Sequence, residues 1–358
     1  MKTLMFYINS LNKGGAERVL LQLAERFAAC GYRAVFVTSF RSEDEYPMPR
    51  SVERISMEEK NLPQSRLKKN ISRIKALRRL CMEYKPEALI AFMAEPNFRA
   101  VLASRGLPVK TIISVRNVPE KEYAGRLFRF VGKHILPMAE GCVFQTEDAR
   151  SWFPKKLQDK SRIIMNQVSR SFFDEAPAEE KKDIYAVGRL NYQKNHRLLI
   201  RTYARLENCA ERLIIYGEGP LRAELEALVK ELGLEGRVLL PGLSANVPGD
   251  IKGAKVFVLP SDFEGMPNAL LEAMALGLCC ISTDCPCGGP RAVIEDGVNG
   301  RLIPVGDEDA LLAALSDVLS DASRRSRMEA LARETAEKFS PDEIFKQWQD
   351  YVEEIISR

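Results

Sequence analysis

The feature that most restricts the fold is a cycle that runs twice along the chain: a short apolar run, a polar or glycine-bearing turn, then a stretch of helical period. In the first half the runs fall at Leu4–Ile8, Arg33–Ser39, Leu89–Met93, Thr111–Val115 and Gly141–Gln145. Between the first two, Ala16–Cys30 places Val19, Leu20, Leu23 and Phe27 on one helical face, and Gly31 supplies a stop. After a polar stretch from Asp174 to Lys182 the cycle restarts, with runs at Ile184–Val187, Leu213–Tyr216, Val238–Leu240, Val256–Leu259 and Cys279–Ser282 and helical patterns between them. Alternation of this kind gives parallel, doubly wound α/β sheets. A chain of 358 residues suits two such cores. The expected domains are 1–173 and 174–340, with a last helical segment, 341–358, crossing back to the first.

Charge divides along the same line. Through Arg170 there are 31 Lys and Arg against 17 Asp and Glu, and beyond it 22 against 32. A basic first half suits an anionic partner, either a phosphorylated acceptor or a lipid headgroup surface, although opposite charges also help two domains attract. The eight cysteines lack the spacing of a zinc or redox site and read as reduced thiols. The N-terminal apolar run is too short for a signal peptide, and no run approaches a membrane span. The expectation is a cytoplasmic protein whose membrane contact, at the inner face, is peripheral.

Three constellations fall at the ends of these runs, where helix N-termini offer backbone N–H groups. The first is Lys13-Gly14-Gly15-Ala16-Glu17. Paired glycines permit close backbone approach to a ligand or simply form a tight turn, and they do not make a dinucleotide fingerprint. The second is Gly188-Arg189-Leu-Asn-Tyr-Gln-Lys194-Asn195, whose two cations can grip a diphosphate or remain a solvated basic turn. The third runs from Ser261 through Glu264, Gly265, Met266, Pro267 and Asn268 to Glu272. Pro267 helps start a helix there, and the two carboxylates are suited to accept hydrogen bonds from sugar and ribose hydroxyls.

With Glu264 and Glu272 in an E-x7-E pattern, Gly188-Arg189 and Lys194 before it, and Gly14-Gly15 near the start, the chain resembles the retaining glycosyltransferases of family four. Tyr216-Gly-Glu-Gly-Pro220 and Cys285-Pro-Cys-Gly-Gly-Pro-Arg291 belong to the same likeness, which is nearest to bacterial enzymes extending lipid-linked or capsular glycans with N-acetylgalactosamine, galactose or a related hexose. The resemblance implies a GT-B fold, two Rossmann-like domains facing a central cleft. It also implies transfer from a nucleotide diphosphate sugar, with UDP expected, to a glycan or polyprenyl-diphosphate-linked acceptor. No metal or other cofactor is expected. Arg189 and Lys194 would bind the donor diphosphate, Glu264 the transferred sugar and Glu272 the ribose. Gly14 and Gly15 would close over the phosphates, the backbone of Gly265, Met266, Pro267 and Asn268 would line the donor, and Leu243 and Ser244 would meet the nucleobase.

One departure stands out. Many relatives carry a histidine after the strand matching Thr111–Val115, where this chain has Arg116-Asn117. Arginine cannot serve as a general base, so Arg116 and Asn117 are assigned to positioning on the acceptor side. His134 shares a helical pattern with Leu127, Phe130, Val131 and Ile135 and reads as core or rim. Asp307-Glu-Asp309 reads as a helix cap rather than a manganese pair. Residues 66–79 form an amphipathic basic helix with Lys68, Lys69 and Arg73 among its cations and Leu67, Ile71, Ile74, Leu77 and Leu80 as its apolar stripe. That helix either packs on the sheet with its charges solvated or meets anionic lipid or an acceptor diphosphate. Nucleic acid is disfavoured because no aromatic stacking surface accompanies the charge. A sugar-nucleotide epimerase on the same fold and a non-catalytic homologue are the alternatives.

Overall fold

The structure is a computed structural model describing residues 1–12, 14–57, 65–176 and 178–358, together with the backbone but not the side chain of Arg66. Lys13 of the glycine loop and Pro177 of the polar stretch lie outside the described residues. The chain divides into two compact units, Met1–Asn166 with Ile344–Arg358, and Gln167–Glu343.

The first unit holds a parallel sheet of β1 (Thr3–Ile8), β2 (Arg33–Thr38), β3 (Val52–Ser56), β4 (Ala88–Phe92), β5 (Lys110–Ser114), β6 (Gly141–Phe144) and β7 (Ser161–Ile163). Their order is β3-β2-β1-β4-β5-β6-β7. Residues Leu4 to Tyr7 and all of β4 are fully buried, as strands covered by helices on both faces must be. Its long helices are α1 (Gly15–Ala29), α2 (Arg66–Tyr84) and α3 (Ala94–Ser104).

The second unit repeats the plan with β8 (Lys182–Val187), β9 (Leu213–Tyr216), β10 (Val238–Gly242), β11 (Ala254–Leu259), β12 (Cys280–Thr283) and β13 (Arg301–Ile303), ordered β10-β9-β8-β11-β12-β13. Its helices are α4 (His196–Ala204), α5 (Arg222–Glu231), α6 (Asn268–Ala275), α7 (Glu308–Ser320) and α8 (Ala322–Glu337), and α9 (Pro341–Ser357) comes after them. The first unit ends at Asn166, earlier than the expected 173. Segment 167–174 is tied to α8 and to the turn that closes it: Val168 N–H donates to the Phe339 carbonyl at 2.8 Å, and Arg333 Nη2 to the Phe173 carbonyl at 2.9 Å. From Ile344 onward α9 belongs to the first unit, where Phe345 packs edge-on to Phe27 and Tyr351 accepts the Cys142 N–H at 2.8 Å.

In each sheet the strand order reverses at one place, between β1 and β4 and between β8 and β11. Connections leaving a pair of neighbours to opposite sides open a crevice at the carboxyl ends of those strands, and ligands of doubly wound sheets bind there.

The stripe read on α2 is only partly a packing face. Leu77 and Cys81 are buried, but Leu67 is 69% and Ile71 45% exposed, so the first turns of this basic helix present apolar side chains to solvent. His134 is exposed and lies against the Phe130 ring, in a turn where Leu127 and Phe130 are exposed as well; it belongs to the rim. Asp307 caps α7, its Oδ1 accepting the Ala310 N–H at 2.9 Å, while Asp309 pairs with Arg205. All eight cysteines are free thiols.

Candidate active site

At the β8/β11 reversal the second and third constellations meet. The loop after β8 is shaped by asparagines: Asn191 Oδ1 accepts the Lys194 N–H at 3.1 Å, and Asn195, in the left-handed region at φ 44°, caps α4 by accepting the Leu198 N–H. Asn195 Nδ2 then reaches across to Asp262 Oδ1 at 2.7 Å, and the Asp262 N–H donates to the Gln193 carbonyl at 2.9 Å. Two loops are thereby stitched together before any ligand arrives.

Lys194 Nζ lies 2.6 Å from Glu264 Oε1, with the two side chains only 17% and 8% exposed. Ser261 Oγ donates to the same oxygen at 2.8 Å, and Gln193 Nε2 approaches Oε2 at 3.4 Å. The backbone of Glu264 is fixed on both sides, its N–H donating to the Pro286 carbonyl at 2.7 Å and its carbonyl accepting the Cys287 N–H at 2.8 Å. The Cys285-Pro-Cys-Gly-Gly-Pro segment is thus a brace for the acidic loop. Gly289 lets it lie there, because a Cβ at that position would sit 1.9 Å from the Gly265 carbonyl oxygen. Burial first, and then the neighbouring Glu264, push the Cys285 thiol up to about 12, so it stays protonated at neutral pH.

Arg189 is exposed and has no side-chain partner among the described residues. Glu272 is buried at 8% exposure on α6, and Gly265, Met266 and Pro267 are buried before it, with Asn268 half-buried as the first residue of the helix. Leu243 and Ser244 come directly after β10, the edge strand, at the same end of the sheet; Leu243 is 77% exposed and Ser244 Oγ donates to Asp250 at 2.6 Å. Gln193 and Ser261 lie inside the second and third constellations, but sequence reasoning gave neither a role. Their only signal was position, one beside Lys194 and the other immediately past an apolar strand.

In the first unit Gly14 is the extended N-cap of α1, and a Cβ there would meet Glu17 Oε2 at 2.3 Å; Gly15 is exposed as the first helical residue. Arg116, assigned to the acceptor side, is enclosed. It is 9% exposed, its guanidinium lies 4.6 Å over the Phe92 ring, and Nη2 donates to Asn166 Oδ1, which also accepts Gln145 Nε2 at 2.7 Å. Burial pushes its pKa down to about 9. Asn117 turns its Oδ1 back to the Val118 N–H. Lys68 is exposed, Lys69 half-buried, and Arg73 lies over the Phe40 ring at 5.6 Å.

Farther along the chain Glu122 accepts the Ala94 N–H at 2.9 Å at the start of α3, while its Oε2 is enclosed and without a hydrogen-bond partner among the described residues. Burial pushes this carboxyl up from the usual 4.5 to about 7. Between those two values the unfolded chain is ionised and the folded one holds its proton. The stability this group contributes is therefore full below about 4.5 and is lost as pH rises through about 7. Glu122→Gln, which cannot ionise, is expected to flatten the decline in melting temperature between pH 5 and pH 8. Parallel melting curves of the two proteins across that range would show that Glu122 is ionised in the folded state throughout.

Residues 14–166 match the family described as Glycosyl transferase 4-like domain, and residues 167–335 the family described as Glycosyl transferases group 1. Over its whole length the chain is similar to an alpha-1,4-N-acetyl-D-galactosaminyltransferase of Campylobacter jejuni, whose name gives its acceptor as a GalNAc-bearing diNAcBac-PP-undecaprenol. Identity is 29%, covering 99% of each chain. Among solved structures, a sucrose-phosphate synthase from Thermosynechococcus elongatus superimposes with a TM-score of 0.85 at 19% identity, covering 100% of both chains. The Anabaena protein HepE in complex with UDP does so with a TM-score of 0.83 at 17% identity, covering 99% of this chain and 100% of that one. These likenesses identify the fold as GT-B. With consecutive matches running from the glycine loop nearly to α9, the chain belongs to the family-four glycosyltransferases and is an enzyme of that class.

Proposed function

We propose that this glycosyltransferase moves N-acetylgalactosamine or a related hexose from a UDP-sugar to a polyprenyl-diphosphate-linked glycan, with retention of configuration at the transferred carbon. The observation that carries the donor half is the enclosed Lys194–Glu264 pair at the strand-order reversal, with the exposed Arg189 on the same loop. In this reading Arg189 and Lys194 hold the diphosphate and offset the charge that builds on it as the bond from the anomeric carbon to phosphate breaks. Glu264, released from part of its contact with Lys194, accepts hydrogen bonds from sugar hydroxyls, and Glu272 accepts them from the ribose. The acceptor hydroxyl attacks from the face the phosphate leaves. Its proton passes to the departing phosphate oxygen, so no side-chain base is needed where relatives have histidine.

The acceptor half rests on the relative's name and on the basic surface of the first unit. Exposed Leu67 and Ile71 on α2, among the cations of that helix, and exposed Leu127 and Phe130 among Arg126, Arg129 and Lys133, suit an anionic bilayer that carries such an acceptor. No helix of the described residues is long and apolar enough to cross a membrane, so the proposed contact is peripheral.

The test is transfer from a panel of UDP-sugars to undecaprenyl-diphosphate-linked glycans, with EDTA present, in liposomes with and without anionic lipid. The expected result is an α-linked product from a UDP-sugar, unaffected by EDTA and faster on anionic liposomes. Transfer only from a different nucleotide sugar, a β-linked product or loss of activity with EDTA would each overturn the corresponding part.

A further inference from the structure

Arg99 is a fully enclosed arginine in the middle of the alanine-rich α3, at the β1/β4 reversal of the first unit. Its guanidinium is divided among three elements. Nη2 pairs with Glu95 one turn earlier on α3 at 2.5 Å, and Nη1 donates to Asn9 Oδ1, in the loop leaving β1, at 2.7 Å. Nε donates to Asn70 Oδ1, on α2, at 2.7 Å. Ser39, at the end of β2, joins by donating its Oγ to Asn9 Oδ1 at 3.2 Å. A buried cation is costly unless its donors are met, so this arginine fixes the elements that meet them. Asn70 is the point where it reaches α2, and it comes directly after Lys68 and Lys69 in the chain.

We infer that Arg99 is a positioning residue which, through Asn70, sets the register of α2 on the end of the sheet so that the cations of that helix meet the diphosphate of the acceptor. The inference rests on the proposed acceptor class. No side chain of this network needs to touch the acceptor; the planar fork of Arg99 spans three segments that no shorter cation would bridge.

Removing Arg99 itself would take the guanidinium away from Glu95 and Asn9 together and risks the fold, so the test uses Asn70. Undecaprenyl diphosphate in detergent micelles is the anionic probe and UDP the control ligand. Asn70→Leu, which breaks only the tie to α2, is expected to weaken binding of the polyprenyl diphosphate about tenfold and to leave the UDP affinity unchanged. Asn70→Asp keeps the oxygen that accepts from Arg99 and should bind the probe more tightly than Asn70→Leu, even though its charge opposes the anion. A leucine variant within twofold of the parent, an aspartate variant weaker than the leucine one, or a parallel loss of UDP affinity would each overturn the inference. The double variant Lys68→Ala/Lys69→Ala separates the two layers. If it weakens the probe while Asn70→Leu does not, only the role of Arg99 fails; if it has no effect, α2 is not the acceptor face and both readings fail.

Discussion

Lys194→Ala is expected to lower kcat/KM for sugar transfer by about a thousandfold, the scale on which a fixed charge-stabilising donor is lost from an enclosed site. The structure adds a complication that has to be separated from catalysis. Lys194 is paired at 2.6 Å with a Glu264 side chain that is 8% exposed, and stripping one partner from a buried pair costs about 3–5 kcal/mol because the other is left as an uncompensated charge. Activity could therefore fall because the loop between β11 and α6 loosens. The double variant Lys194→Ala/Glu264→Gln removes the stranded charge, and the amide can still accept from Ser261 Oγ, now 2.8 Å from the carboxylate. Its melting temperature is expected to recover toward that of the parent while its kcat/KM stays at least as low as that of Lys194→Ala. Recovery of both together would mean that Lys194 serves only to neutralise Glu264, and the assignment of Lys194 to the diphosphate would fall.

Most of the strand framework was legible because both faces of the central strands are covered. β1, β4, β9 and the part of β11 from Val256 to Leu259 are short apolar runs, a pattern that burial on two faces writes directly into composition. The strands that escaped are edge or near-edge strands. β3, Val-Glu-Arg-Ile-Ser, buries only its first residue, β7 buries none and β13 only its last, so each lacks that signal. Helix α8 escaped for a related reason, since it buries only Met328, Ala332 and Ala336 along its length. In the site, Arg189, Lys194, Glu264 and Glu272 could be singled out because charged residues beside strand ends are conspicuous. Ser261 and Gln193 could not be given a role, because their contacts with Glu264, one within the loop after β11 and the other reaching over from the loop after β8, appear only in the fold. Arg99, on which the sequence carried no reading, and Arg116, assigned to the acceptor side, are enclosed in a way the sequence does not mark. An arginine in sequence reads as surface or ligand, and only packing reveals that one is enclosed by Asn9, Asn70 and Glu95 and the other by Phe92 and Asn166.

Gly217→Ala is expected to damage the donor-side loop more than any charge substitution outside it. Gly217 has φ +149°, where side chains are rarely tolerated, and a Cβ there would stand 1.9 Å from the Gly188 carbonyl oxygen and 2.9 Å from its carbon. Those atoms are backbone and cannot turn aside. They also open the segment that carries Arg189, which is held against 216–221 by Gly188 N–H to the Tyr216 carbonyl at 3.0 Å, Leu190 N–H to the Glu218 carbonyl at 2.9 Å and Leu221 N–H to the Leu190 carbonyl at 3.0 Å. A methyl group wedged between these segments must break several such bonds or bend both strands' ends, at a cost of about 3 kcal/mol or more. For a unit of this size that corresponds to a fall in melting temperature of roughly 6–12 °C. Gly236→Ala is the control. It too has a positive φ, +77°, but no atom within 4 Å of the added carbon, so it should cost only the conformational strain of about 1–2 kcal/mol. If the two variants melt together, backbone strain alone accounts for Gly217. If Gly217→Ala melts several degrees lower and loses UDP binding while Gly236→Ala retains it, the Gly-Glu-Gly segment is the surface on which the phosphate-side loop is set, and its glycines are there because two backbones touch.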